Sequence, residues 1–514
     1  MIRDAPVDVA IMGAGAAGAL FAARLAKAGK RVVVLDAGPP RSLSDLVSSQ
    51  IHARRLKWGG TPVLPGGSHP FGHNMSTGSG YGGAAIHHYA GWPRLQPADF
   101  TLASDHGTGL DWPIGYDDLR PHYDAVQAEV GLSGDAVAEV WRPPGAPYPM
   151  PPLEWFAQGR ILKAGFETLG MHVSPAPMAV TSVEFANRPP CQYDGWCDAG
   201  CPIGALANPL VVHHPAAEDA GAVFKSGAAV TGVELDGRGR AAGLRWTDAR
   251  GRARLQPAVR VILAGAAVQN ARLLLAQGIG GPLVGRWFNA HSIANVHGLF
   301  AAETECHRGL TAGTLTCQDS YAKDQPGKPL GSITWGIAPA VKPNDLIGIA
   351  MTRPDLFGNA LDSFIRRASR HLGVINGIVE SLPVAGNRVE LTAAKDRFGM
   401  PLARVVHSPD PRSLELWDAA NVLGLKVMTA AGATEAWAGT GRAFAHVAGG
   451  TVMGRDPATS VTDAYGRLHG VPGVVIAGGG MFPSIGAVSP TFTVLALADR
   501  AAAAMTRDWD GFAA

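Results

Sequence analysis

A short apolar strand, a glycine-rich turn and an alanine-rich helix open this chain, and no other feature restricts its fold as much. Residues 7–11, VDVAI, read as a buried strand, and Met12 leads into GAGAAG, then ALFAARLAKAG to Gly29. A second strand, RVVVLDAG, carries Asp36 near its end. Each glycine has a separate task. Gly13 makes the turn, Gly15 lets backbone amides approach a pyrophosphate, and Gly18 lets the helix pack against the strand. The helix N-terminus then faces the phosphates, and Asp36 stands where a ribose hydroxyl is bound. The pattern predicts an α/β, Rossmann-like dinucleotide-binding domain. A glycine-rich turn alone is a weak signal in a chain with 66 glycines; here strand, helix, second strand and acid stand in order. The turn does not separate a flavin from a nicotinamide dinucleotide.

With 514 residues, the chain suggests a large two-domain protein. Hydrophobic residues make up 46% and charged residues 17%, which excludes a disordered chain. The net charge of +2 provides no field to recruit nucleic acid or acidic lipid. No apolar run is long enough to span a bilayer, so no transmembrane segment is expected. The first strand begins almost at once, which leaves no room for a signal peptide.

Three of the five cysteines lie in CQYDGWCDAGCPIGA, with five residues between Cys191 and Cys197 and three between Cys197 and Cys201. Pro202 follows at once. Three soft sulfur ligands closing on a small volume suit an iron–sulfur cluster, and a proline after the last ligand recurs in such runs. Two other readings stay open: a zinc site with His213 or His214 as fourth ligand, and free thiols. Cys306 and Cys317 carry no motif.

Residues 444–497 read FAHVAGGTVMGRDPATSVTDAYGRLHGVPGVVIAGGGMFPSIGAVSPTFTVLAL. This stretch resembles the C-terminal signature of the glucose–methanol–choline (GMC) flavoprotein oxidoreductases. GSGYGGAAIHHYAGWPR (78–94), DWPIGYDDLRPHYD, VILAGAAVQNARLLLAQ and VGRWFNAHS resemble further blocks of that family. The resemblance makes the dinucleotide FAD and implies oxidation of an alcohol. It places cofactor contacts at Gly13, Gly15, Gly18, Asp36, Gly82, Gly83, His87, Val230, Gly480, Pro490 and Thr491. His446 matches the family's catalytic histidine, the base for the substrate hydroxyl. The partner position, usually His or Asn before Pro-Thr, is Ser489, which can orient a hydroxyl but reaches less far. His291 stands in a pattern resembling the family's Asp-His-Pro turn, with Ala290 and Ser292 as its neighbours, and receives no role. His87 and His88 lie in the flavin-contacting loop.

The cysteine run narrows the resemblance to the FAD-bearing large subunits of bacterial glucose, fructose, gluconate and glucoside 3-dehydrogenases. In that subgroup the matching cysteines, here Cys191, Cys197 and Cys201, hold a [3Fe-4S] cluster. A small accessory subunit and a cytochrome c are the partners implied, with export to the periplasm or membrane alongside the partner; without such a partner the protein is cytoplasmic. The expected substrate is an alcohol group of a sugar or glycoside. The alternatives are a non-sugar alcohol (sterol, terpenoid, aromatic) or a catalytically weak flavoprotein.

The expected organisation interleaves two domains. Residues 1–100, 190–290 and 441–514 supply the FAD-binding domain, with the cysteines in the second segment and the catalytic histidine in the third. Residues 101–189 and 291–440 supply an α+β substrate domain, an antiparallel sheet backed by helices such as the LELWDAANVLGLKVMTAAG stretch.

Overall fold

The computed structural model describes residues 1–71, 75 and 77–513. Two large sheets share the molecule. The first is built around the Val7–Met12 strand, which runs parallel to Val32–Leu35 on one side and to Ala253–Leu263 on the other. Val223–Lys225 extends it beyond Val32–Leu35, and Val474–Ile476 joins Ala253–Leu263 in parallel. Ala241–Thr247 and Ala229–Leu235 continue the sheet in antiparallel fashion. Parallel strands covered on both faces read as continuous apolar runs. Val9, Ala10, Ile11, Val261, Ile262 and Leu263 are accordingly all fully buried. The Ala16–Lys27 helix covers one face, and its alanines let the Thr491–Arg507 helix pack close behind it.

The second sheet is antiparallel along its main run. Asn289–Leu299 lies at its centre, paired with Leu372–Val379 on one edge and with Glu435–Ala438 and Ala443–Ala448 on the other. Ile333–Ile337, Leu315–Cys317 and Ser174–Pro175 complete it. The Pro411–Ala430 helix backs this sheet. Asp410 caps it by accepting from the Arg412 amide, and Pro411 fits the first turn, where no amide donor is needed. Its buried face sets Leu416, Ala420 and Val427 in one core with Ala294, Val296 and Trp335. The α/β class, the nucleotide unit and the helix-backed antiparallel sheet therefore match expectation. A small third sheet, Val63–Gly66 with Arg388–Lys395 and Pro401–Val406, was not foreseen.

The expected break at residue 440 falls between two strands of the second sheet, Glu435–Ala438 and Ala443–Ala448. The chain returns to the first sheet only at Val474–Ile476. His446 thus sits on a strand of the second sheet, shortly before the chain crosses over. Among the described residues, no helix is long and apolar enough to cross a membrane.

Candidate active site

The glycine-rich turn forms a cradle open to a ligand. Gly13 has φ +99°, and a Cβ there would come within 2.6 Å of the Ala264 carbonyl. Gly15 is different: a Cβ on it would meet only the Gly83 Cα, at 3.9 Å. No side chain of the described residues lies within 4 Å of that position, which suits close approach of a pyrophosphate. Gly15 caps the Ala16–Lys27 helix without a side-chain acceptor, and no acidic residue occupies its first turn, so its amides stay free for an anion. Gly82 has φ +86° and opens the short 3-10 turn Gly83–Ile86. These residues fit a dinucleotide.

Asp36 lies under this cradle. Its Oδ2 accepts from the Ala14 amide at 2.9 Å, and its Oδ1 accepts from the amides of Gly38 (2.9 Å) and Gly80 (2.8 Å). The carboxylate thus pins three backbone segments and keeps acceptor capacity on Oδ2 for a hydroxyl. Val230 lies at a β-bulge of the Ala229–Leu235 strand. Gly480 lies in the 3-10 turn Gly479–Met481, against Ala267 and Thr451.

His446 is aimed by a bulge. Pairing between the Asn289–Leu299 and Ala443–Ala448 strands shifts between Asn289 and His291, so an extra residue is accommodated on the His446 side. His446 takes φ +60°, a left-handed conformation uncommon for any residue but glycine. Bulges re-aim side chains and are frequent beside active sites. His446 Nδ1 lies 3.1 Å from His291 Nδ1, with the rings edge to face. His291 is fully buried, and its Nε2 donates to the Gly486 carbonyl at 2.9 Å. Burial, reinforced by His291, pushes the His446 pKa down to about 3. Burial pushes that of His291 down to about 4 against the pull of the Gly486 and Ile485 carbonyls. Both rings are neutral at pH 7. His291, which the sequence left without a role, is in hydrogen-bond contact with the expected base. Its altered flanks, Ala290 and Ser292, removed the signal that would have singled it out.

The loop that carries Ser489 is fixed by a buried ionic cluster with no sequence signature. Lys323 Nζ donates to Asp99 Oδ1 at 2.7 Å and to Glu380 Oε2 at 2.7 Å, and all three side chains are almost wholly buried. Although burial opposes it, the two carboxylates hold the Lys323 pKa above its ordinary value. Tyr321 Oη donates to Asp99 Oδ2 (2.7 Å) and accepts from the Ala487 amide (3.1 Å). Ser484 donates to the Asp99 carbonyl. Gly486, at φ +53°, leaves no room for a side chain, since a Cβ would stand 2.6 Å from Tyr321 Oη. Ser489 follows, partly exposed and without a hydrogen bond among the described residues. Pro490 caps the Thr491–Arg507 helix with no side-chain acceptor, which leaves its first amides free as well.

His87 and His88 separate in role. His88 Nε2 donates to the Ala207 carbonyl, while its Nδ1 accepts from the Ala90 amide. His87 is buried, yet its Nε2 has no partner among the described residues, an orphaned polar atom suited to a bound cofactor. Burial holds the His87 pKa down to about 4, with Lys57 adding to the effect and Asp198 opposing it. Asp198 adjoins Cys197.

Cys191, Cys197 and Cys201 share one apolar pocket with Ala90, Leu206 and Leu310. The Tyr193 amide donates to Cys191 Sγ at 3.3 Å and the Leu206 amide to Cys201 Sγ at 3.4 Å. Burial and the neighbouring thiols raise the Cys191 pKa to about 12. Cys197 is raised to about 11, mainly by burial. Among the described residues, no three His, Cys, Asp or Glu side chains form a group that could hold a single metal ion. The zinc alternative loses its fourth ligand. His213 contacts Glu129, and His214 packs against Phe224 and Tyr81. Both lie at the start of the His213–Asp219 helix and are engaged by these partners. Cys306 and Cys317 are buried in two other cores.

Residues 383–498 match a family model described as GMC oxidoreductase, and residues 11–44 match an NAD(P)-binding Rossmann-like domain. The fructose dehydrogenase large subunit of Gluconobacter japonicus is 27% identical over 98% of this chain and 98% of its own length. Paromamine 6'-oxidase of Streptomyces fradiae is 28% identical over 98% of this chain and 91% of its own. A crystal structure of pyridoxine 4-oxidase from Mesorbium loti superposes with a TM-score of 0.67 at 17% identity, covering 97% of this chain and 99% of that one.

Proposed function

The chain belongs to the GMC oxidoreductases, FAD-dependent enzymes acting on CH–OH groups, and from that premise we propose that it oxidises an alcohol group of a sugar or glycoside and passes the electrons through a [3Fe-4S] cluster to a redox partner. Bound FAD supplies the hydride acceptor, and the cluster supplies a one-electron outlet. The chain's own residues do the rest. His446, neutral and only partly exposed, takes the hydroxyl proton on Nε2. The Ser489 hydroxyl, without a hydrogen bond among the described residues, orients the substrate hydroxyl. The uncapped amides of the Thr491–Arg507 helix offer a positive end to developing negative charge.

Cys191, Cys197 and Cys201 would hold the cluster. A zinc ion needs four donors within roughly 2.3 Å of one point, whereas a cluster of several irons takes its thiolates further apart. Amides already donate to two of the sulfurs. The carrying observation is the loop shared by the two sites: His87 stands in the expected flavin loop, and Ala90 of the same loop packs among the thiols. A relative named fructose dehydrogenase large subunit supports both the sugar substrate and a smaller partner subunit. An accessory subunit, a cytochrome c acceptor and a periplasmic site of action belong to this proposal.

The test is iron per flavin in anaerobically purified protein, followed by addition of D-fructose, D-gluconate or methyl α-D-glucoside without oxygen. About three irons per flavin, with flavin and iron both reduced by a sugar, supports the proposal. Flavin without iron overturns the electron route, and bleaching only by non-sugar alcohols overturns the substrate.

A further inference from the structure

The contact between two histidines has one feature that fixes the direction of proton transfer. His291 Nε2 lies 2.9 Å from the Gly486 carbonyl, which can only accept, so Nε2 carries the hydrogen. A neutral imidazole has one donor and one acceptor nitrogen, so His291 Nδ1 is bare. His446 Nδ1, 3.1 Å away, must then be the donor of that pair. We infer that His291 is a positioning residue that locks His446 in its Nδ1–H tautomer, leaving Nε2 with the free lone pair that receives the substrate's hydroxyl proton. This rests on the reading of His446 as the base.

The surroundings support a neutral His291. Lys323 is the charged group that faces it, and Lys323 is matched by Asp99 and Glu380. A second positive charge in this buried place is disfavoured by burial and by Lys323 alike. When His446 takes a proton on Nε2, its Nδ1–H still points at a bare nitrogen, so the hydrogen bond becomes charge-assisted and strengthens. His291 is not a conduit: among the described residues its onward contacts are the peptide carbonyls of Gly486 and Ile485, which cannot be protonated at working pH. The proton therefore leaves His446 through Nε2, the side on which it arrived. The bulge at His446 and the clamped loop at Gly486 hold the two ends of this chain in place.

The experiment is nitrogen NMR of the FAD-loaded enzyme labelled with 15N-histidine, with His446 assigned by the signals lost in His446→Gln. The expected result is a single neutral tautomer, protonated on Nδ1. In His291→Leu that ring should become a mixture or the opposite tautomer, and flavin reduction by the fastest of the three sugars should slow by at least about tenfold with KM little changed. His291→Gln, whose amide can donate to Gly486 and accept from His446, should restore both. A wild-type His446 protonated on Nε2 overturns the inference without any variant, as does His291→Leu with unchanged tautomer and rate. If His446→Gln reduces flavin at the wild-type rate, the reading of His446 as base fails instead, whatever the tautomer.

Discussion

At the scale of the residue, His446 combines a bulge, a left-handed backbone and a neutral ring. Replacing it with Gln should slow flavin reduction by substrate roughly 10²- to 10⁴-fold, the usual share of a positioned base, while FAD stays bound; stopped-flow absorbance reads both. A base with a lowered pKa works only above that pKa. Burial first, then His291, sets His446 near 3 instead of the ordinary 6.5, so the acid limb of kcat/KM should lie well below pH 6 and activity should fall as pH drops through it. A limb at 6.5 or above would contradict the burial seen here. Ser489→Ala removes one hydrogen bond to the substrate, a loss of about 1 kcal/mol or several-fold in kcat/KM; steady-state kinetics checks it. His446 was legible in the sequence because its motif is local. His291 was not, because its importance comes from a strand pairing with residues about 150 positions away, as the separation of the two histidines shows.

At the scale of the element, the glycine turn makes two opposite predictions. Gly15→Ala places a methyl group in open space near the Gly83 Cα, so the fold should survive while FAD binding weakens, because the methyl occupies the cradle. Gly13→Ala meets the Ala264 carbonyl at 2.6 Å and forces an alanine to φ +99°, so it should lose thermal stability even without FAD. Thermal unfolding of the apo- and FAD-loaded proteins separates the two; equal effects from both substitutions would contradict the cradle geometry. The first strand, turn and helix were readable because hydrophobic period and glycine spacing lie within some 30 residues. The third sheet was not, since Val63–Gly66 pairs with Pro401–Val406 across most of the chain.

At the scale of the whole molecule, a buried ionic cluster ties the Asp99 segment and Lys323 to Glu380, at the end of the Leu372–Val379 strand. Lys323→Met would strand Asp99 and Glu380 without their counter-ion and should destabilise the protein by about 3–5 kcal/mol, read as a fall in denaturant midpoint. His87, His88, His291, His297 and His407 have pKa values lowered to about 4, and His446 to about 3, mainly by burial. The unfolded chain takes up these protons near 6.5 while the native one resists until about 4, so the unfolded state binds more protons in that window. Stability should therefore rise with pH from about 4 to 6.5 and level off above, and melting temperature against pH would show it. The two-sheet architecture was legible as a family resemblance plus local strand patterns. The crossover after residue 448 was not, because it depends on which sheet edge the Ala443–Ala448 strand finds. The most direct test of the account is anaerobic stopped-flow mixing of FAD-loaded wild type and His446→Gln with D-fructose, D-gluconate and methyl α-D-glucoside. The account predicts rapid bleaching of the flavin by at least one of them in the wild type and a loss of at least about a hundredfold in the variant. A flavin that stays oxidised with every sugar, or a variant that bleaches as fast as the wild type, would contradict it.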